Sequence, residues 1–253
     1  MQLCIDREAR ISARLRCCSC ADVHKGSIER ARTDMKIIAV TINKGGAGKT
    51  MISRSVSTAA AQSGLAVLIL DMDTQQNSTN WRRRRPAESL LPLVQFTTEN
   101  DLAETLKRAQ AADCDLVVID TPPGRSTEAP AAVEVADLVL IPCTSEVECF
   151  EGLPRTARLA RTTGKPAIVV PNFVQPNSRS EEEAIRGVAE AQGLRTVPVA
   201  FHRFNVHREG SLRGITAQEI QPESRAALEI QGLWDWICAE LQLTTSAPVH
   251  KVA

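Results

Sequence analysis

The most constraining feature of this chain is a glycine-rich loop between a strand pattern and a helix pattern. Residues 43–50 read Asn-Lys-Gly-Gly-Ala-Gly-Lys-Thr. Lys36–Thr41 before them predicts a strand, and Thr50–Gln62 after them predicts a helix. Gly45, Gly46 and Gly48 let the backbone turn several N–H groups onto one anion. The helix N-terminus at Thr50 adds its dipole to that anion site. Lys49 would neutralise β- and γ-phosphate oxygens, and the Thr50 hydroxyl would ligate Mg²⁺. A bare turn between strand and helix does not call for Gly-Lys-Thr, so a phosphate loop is the better reading.

A loop of this kind needs a parallel sheet behind it, and the rest of the chain supplies one. Further strand candidates are Ala66–Asp71, Leu93–Phe96, Leu116–Asp120, Leu138–Pro142 and Ala167–Pro171. Helical patterns fall between them, near Asn100–Ala111, Ser145–Thr162 and Ser180–Gln192, and a last one near Glu223–Leu241. Several strands are continuously apolar, as strands covered on both faces are. The expected fold is α/β, a mostly parallel sheet with helices on both faces. At 253 residues the chain fits one large domain, expected over 35–243, with an N-terminal extension at 1–34 and a tail at 244–253.

Composition narrows the function. Thirty Lys plus Arg balance thirty Asp plus Glu, which excludes a globally basic nucleic-acid coat and leaves only local patches. Aromatics are 3% and Tyr is absent, which disfavours a single-strand binder built on stacking. No apolar run reaches the roughly 18–20 residues of a membrane span, and the N-terminus has no apolar signal core. A cytoplasmic protein with reduced thiols is expected. Cys17 and Cys20 have a zinc-like spacing but no second ligand pair, so no metal site is expected there. The first 34 residues read as a disordered tail or a matter of start-site choice, with Met35 a plausible alternative start.

Two more segments carry chemistry. Asp71 and Asp73 close the second strand, and a side-chain period of two points them the same way, at the carboxyl end of the sheet. One could support Mg²⁺ and the other orient the attacking water; a pair of capping carboxylates is the plainer alternative. The apolar strand ending at Asp120, followed by Thr-Pro-Pro-Gly124, has the form in which a carboxylate holds Mg²⁺ through its water shell.

With all three segments in order, the chain resembles the ParA/MinD family of P-loop ATPases. Lys44-Gly-Gly-Ala-Gly-Lys-Thr50 is the deviant Walker A form, Asp120-Thr-Pro-Pro-Gly124 matches the family, and Asp71–Trp81 is especially like the small plasmid-type, ParF-like group. Ala136–Pro142 and the stretch from Glu219 to Ile230 add to the likeness. The resemblance implies an ATP-sandwich homodimer, with Lys44 reaching the partner's nucleotide, that binds duplex DNA without sequence preference. A ParB-like partner on a centromere-like site would stimulate hydrolysis, and repeated binding and release would partition a plasmid or chromosome; the protein would sit on the nucleoid and off the membrane. By the match, Asp73 positions water and Asp71 supports the metal region; Lys44, Lys49 and Asp73 are the catalytic set. The nucleotide set is Lys44, Gly45, Gly46, Ala47, Gly48, Lys49, Thr50, Met51 and Asn172, the last for adenine. The metal set is Thr50, Asp71 and Asp120. Thr74 stands where the family usually has Pro, which puts the loop geometry in question. Arg203, Arg208 and Arg213 are the candidate DNA contacts. For the Arg82–Arg85 run, function and a solvated loop stand equal.

Rival classes remain. MinD-like membrane positioning would need a basic amphipathic C-terminal helix, and the last helix carries Glu223, Glu229, Asp235 and Glu240 against Arg225. A nitrogenase-reductase-like role would need bridging cysteines, whereas Cys114, Cys143 and Cys149 read as small buried hydrophobes. A biosynthetic ligase of the same superfamily, or an ATPase positioning a cargo other than a plasmid, fits the same motifs.

Overall fold

A computed structural model describes residues 34–124 and 126–245. The cysteine-rich N-terminal segment and its Cys17/Cys20 spacing lie outside the described residues, as does the end of the tail.

Seven strands form one parallel sheet in the order β3-β2-β4-β1-β5-β6-β7. They are β1 (Lys36–Val40), β2 (Val67–Asp71), β3 (Leu93–Phe96), β4 (Leu116–Asp120), β5 (Leu138–Cys143), β6 (Ala167–Pro171) and β7 (Arg195–Thr196). The helices are α1 (Lys49–Gln62), α2 (Asn77–Arg84), α3 (Leu102–Ala111), α4 (Glu128–Val135), α5 (Val147–Thr162), α6 (Arg179–Ala191), α7 (Asn205–Arg213), α8 (Ala217–Ile220) and α9 (Arg225–Leu241).

The strand period of two divides the core. Ala39, Val117, Ile119 and Val139 face one layer, where α3, α4, α5 and α6 pack through Leu102, Val133, Leu153 and Ile185. Their neighbours Ile38, Val40, Val118 and Leu140 face the other, filled by Ile52 and Val56 of α1 and by Ile230, Leu233, Trp234 and Ile237 of α9. Each such side chain contributes about 1.5–3 kcal/mol by leaving water. This two-sided burial explains the continuously apolar strands and confirms the α/β expectation.

The six expected strands are present, three with the expected bounds. β7 has two residues, Arg195 and Thr196, too few to make a pattern. The Arg82–Arg85 run corrects the loop alternative: Arg82–Arg84 end helix α2 and Arg85 caps it. Among the described residues no helix is long and apolar enough to cross a membrane, and no group of three or more potential ligands forms a metal cluster.

Register brings the chemistry together. Val40 pairs with Asp120, and Asp120 pairs with Asp71. The phosphate loop and both carboxylates therefore leave the carboxyl edge of three adjacent strands at one level, where ligands of open α/β sheets bind.

Candidate functional site

The phosphate loop is shaped by two left-handed glycines, Gly46 (φ 80°) and Gly48 (φ 91°). At Gly48 the reason is twofold: a β-carbon there would be strained, and it would lie 2.0 Å from Asn172 Nδ2. Asn172 follows β6 and is fully buried. Its Nδ2 donates to the Ala47 carbonyl at 2.7 Å, while its Oδ1 has no partner. The residue suggested for adenine thus clamps the back of the loop and keeps one free acceptor. Gly48 caps α1 without a side chain, so the first N–H groups of the helix face the loop.

Lys49, 6% exposed, folds back into the loop. Its ammonium donates to the carbonyls of Lys44 at 2.9 Å and Ile42 at 3.3 Å. Burial lowers its pKa, opposed by the charges of Asp120 and Asp73. Lys44 is half-buried, Gly45 and Gly46 are exposed, and Thr50 and Met51 are half-buried on the first turn of α1.

The carboxylates differ in their bonding. Asp71 is saturated: Oδ1 accepts from Asp73 N at 3.2 Å, and Oδ2 from Thr79 N at 2.8 Å and Thr79 Oγ1 at 3.0 Å. It caps the N-terminus of α2, which burial makes necessary, and burial raises its pKa. Asp73 Oδ1 accepts from Gln75 N at 2.9 Å, an Asx-type turn that stands in for the family proline at Thr74. Both capping roles are therefore real, and Asp73 still faces the Lys49 ammonium.

Asp120 is fully buried. Its Oδ2 accepts from Ser78 Oγ at 2.8 Å, and its Oδ1 meets no donor at full hydrogen-bond geometry among the described residues. Burial pushes its pKa up to about 6, with Asp71 beside it adding repulsion and the hydroxyls of Ser78 and Thr50 and the charge of Arg54 opposing. A buried carboxylate oxygen without a donor at full hydrogen-bond geometry, next to a threonine hydroxyl and a phosphate loop, fits a hydrated divalent cation. Ser78 was not legible as a site residue: nothing in Asn77-Ser-Thr-Asn80 says which hydroxyl returns to β4.

The arginines separate. Arg85 is 8% exposed and pairs with Glu219 Oε1 at 2.7 Å while donating to the Gly214 and Leu91 carbonyls. It is a structural clamp over the Trp81 ring, 4.7 Å from its centroid. Arg84 is exposed and donates to the Ser211 carbonyl of α7. Arg208 and Arg213 are exposed on α7, Arg213 paired with Glu209 at 2.8 Å; Arg203, also exposed, lies over Phe173 just before that helix. α2 thus reaches from Asp120 to the helix that carries two of the three candidate DNA contacts.

Cys143 and Cys149 are fully buried, and Cys149 Sγ accepts from Thr144 N at 3.3 Å. Cys114 is also buried, its Sγ within 3.3 Å of the Ala66 and Leu116 carbonyls.

Comparison with known proteins agrees with this geometry. A family model described as the CobQ/CobB/MinD/ParA nucleotide binding domain matches residues 38–203. Maintenance of carboxysome distribution protein A of Gloeobacter kilaueensis is 27% identical over 208 residues, covering 81% of this chain and 94% of that protein. Protein ParA of Rhizobium radiobacter is 31% identical over 108 residues, 43% of this chain and 48% of that one. The fold is shared with the septum site-determining protein MinD of Pyrococcus horikoshii, solved with Mg-ADP. Its TM-score is 0.62 at 21% identity, over 80% of this chain and 96% of that one. The chain belongs to the CobQ/CobB/MinD/ParA family of nucleotide-binding domains, with the phosphate loop of its ParA/MinD ATPases.

Proposed function

We propose that this protein is an Mg²⁺-dependent ATPase that dimerises around ATP, binds duplex DNA without sequence preference and positions a cargo along it. The observation that carries the reading is the loop itself: a buried Lys49 facing Asp73 and Asp120, preceded by a second lysine, Lys44, at the open tip. One lysine suffices to bind a nucleotide within one chain. A second, two residues before the glycine pair ends, bonds its own site only through its carbonyl among the described residues, and its side chain suits a nucleotide shared between two copies.

In this reading Thr50 and the free Oδ1 of Asp120 hold Mg²⁺ through its water shell. The cation supplies charge neutralisation at the phosphates. Lys49 leaves the Lys44 and Ile42 carbonyls for phosphate oxygens, and Asp73 orients the attacking water. Asp71 acts through the loop, by capping α2, because both its oxygens are engaged. Asn172 fixes the loop and offers Oδ1 as its remaining acceptor for the base. Arg203, Arg208 and Arg213 meet DNA phosphates. A ParB-like protein bound to a centromere-like site would accelerate hydrolysis, making the cargo a plasmid or chromosome. A second reading, with a protein assembly as cargo, is favoured by the carboxysome-distribution relative, which matches along nearly its whole length.

The test is binding to a random-sequence duplex without nucleotide, with ADP and with ATP, across a salt series. ATP-dependent binding with a steep salt slope is expected. ATP hydrolysis without DNA binding in any state would replace this reading with a ligase of the same superfamily or a positioning ATPase that does not use DNA.

A further inference from the structure

A second cavity, of about 60 Å³, lies between α1, α2, α7 and α8, and its lining includes Met51, Arg54, Trp81, His207, Ser211 and Ile215. Arg54 sits on the first helix, only 8% exposed. One of its Nη atoms donates to Ser211 Oγ at 3.1 Å, and its Nε has no partner. It forms no ion pair among the described residues. The Nε2 of His207 on the cavity wall is likewise buried without a partner.

The contrast with Arg85 is instructive. Both guanidinium groups lie over the Trp81 ring, Arg85 at 4.7 Å and Arg54 at 5.5 Å from its centroid. Arg85 has its carboxylate, Glu219, inside the fold. Arg54 has a neutral hydroxyl and an open space. A buried cation without a carboxylate at ion-pair distance is costly, and its pKa falls to about 10 chiefly through burial, with the charges of Asp120 and Asp71 opposing from beyond that distance. The fork of a guanidinium is satisfied by two oxygens of one anion. Ser211 and His207 line the same cavity, which has room for the head of a carboxylate or phosphate.

We propose that Arg54, Ser211 and His207 form a binding site for one oxyanion head group, a carboxylate or phosphate, distinct from the phosphate loop. The site requires neither ATP nor DNA and does not rest on the function proposed above. Two sources share the chemistry: a free small anion, or a backbone phosphate of DNA lying along the nearby exposed Arg84, Arg208 and Arg213.

The experiment uses the full chain without nucleotide. Acetate and inorganic phosphate are titrated at an ionic strength held constant with chloride, following melting temperature and tryptophan emission. A saturable rise in melting temperature with a change in emission is expected. Arg54→Lys should weaken it about tenfold or more, and Arg54→Met should abolish the acetate response and leave only the part of the phosphate response that does not depend on Arg54. Phosphate held by the loop around Lys49 persists in Arg54→Met and is told apart in that way. An equal response to chloride alone, or an undiminished one in Arg54→Met, overturns the proposal. Should Arg54→Met fail to fold, Arg54→Lys and Ser211→Ala carry the test, and unchanged affinity in both overturns it. A duplex-DNA arm, run with ATP, separates the sources. A log–log salt slope smaller by about one in Arg54→Met assigns the oxyanion to DNA; an unchanged slope, with the acetate response of the wild type lost in Arg54→Met, assigns it to a free anion.

Discussion

Ser78 donates its hydroxyl hydrogen to Oδ2 of Asp120 across 2.8 Å, and the other oxygen of that carboxylate meets no donor at full hydrogen-bond geometry among the described residues. The bond holds the carboxylate through Oδ2 and leaves Oδ1 for another ligand. Ser78 thus acts as a positioning residue, outside the set that would touch nucleotide or metal. Ser78→Ala is expected to raise the Mg²⁺ concentration needed for half-maximal hydrolysis about tenfold, as loss of such a partner does in metal sites. Ser78→Thr should restore much of it. A change in maximal rate at unchanged Mg²⁺ dependence would remove the residue from this role.

Asp120 also makes the site a point of stored instability. Its pKa in the folded chain is about 6, against 3.8 in the unfolded chain. The folded state therefore holds the proton more tightly. Between those values stability falls as pH rises, by at most about 3 kcal/mol, and the loss is complete above pH 6. In EDTA, Asp120→Asn should raise the melting temperature at pH 7.5 and flatten its rise toward pH 5, while losing Mg²⁺-dependent hydrolysis. Parallel pH profiles of melting for wild type and variant would contradict this.

What the sequence made legible was whatever repeats locally or sits in one contiguous segment. The phosphate loop, the strands ending at Asp71 and Asp120, and the two-sided core all follow from short-range pattern. The bonds that finish the site run between segments far apart in the chain: Asn172 to Ala47, Ser78 to Asp120, Arg85 to Glu219. No spacing encodes them. The arginine run shows the limit most clearly. Four like residues in a row looked equivalent, yet Arg85 is buried by Trp81 and Glu219 while Arg83 is exposed and bonded only to Asn80 among the described residues. Asp71 carried a metal-site expectation, and nothing in the sequence signalled that its oxygens also accept from Asp73 in the loop and from Thr79 on α2.

That division of the arginines predicts opposite phenotypes. Arg85→Met leaves the Glu219 carboxylate with only Thr216 as a partner, without its cation, and removes the tie between α2 and α8. It should cost about 3–5 kcal/mol, read as a lower denaturation midpoint. Arg208→Ala should stay within about 0.5 kcal/mol of wild type. Its effect should appear instead in ATP-dependent duplex binding, as weaker affinity for all sequences and a salt slope smaller by about one. An Arg208→Ala protein with an unchanged slope would move the DNA surface elsewhere.

The two loop lysines separate in the same manner. Lys49 is buried, bonded to the Lys44 and Ile42 carbonyls and within reach of the charges of Asp120 and Asp73, a place from which its charge would serve the nucleotide of its own chain. Lys49→Ala should abolish nucleotide binding, seen as loss of ATP- and ADP-induced thermal stabilisation. Lys44 contributes only its carbonyl to that arrangement, and its side chain stands at the half-open tip. Lys44→Ala keeps the carbonyl and therefore should keep monomer binding near wild type. It should block the ATP-dependent doubling of mass in sedimentation, along with hydrolysis that depends on it. Wild-type dimerisation in Lys44→Ala would show that the second lysine is a solvated loop residue, and the shared-nucleotide dimer would lose its main support.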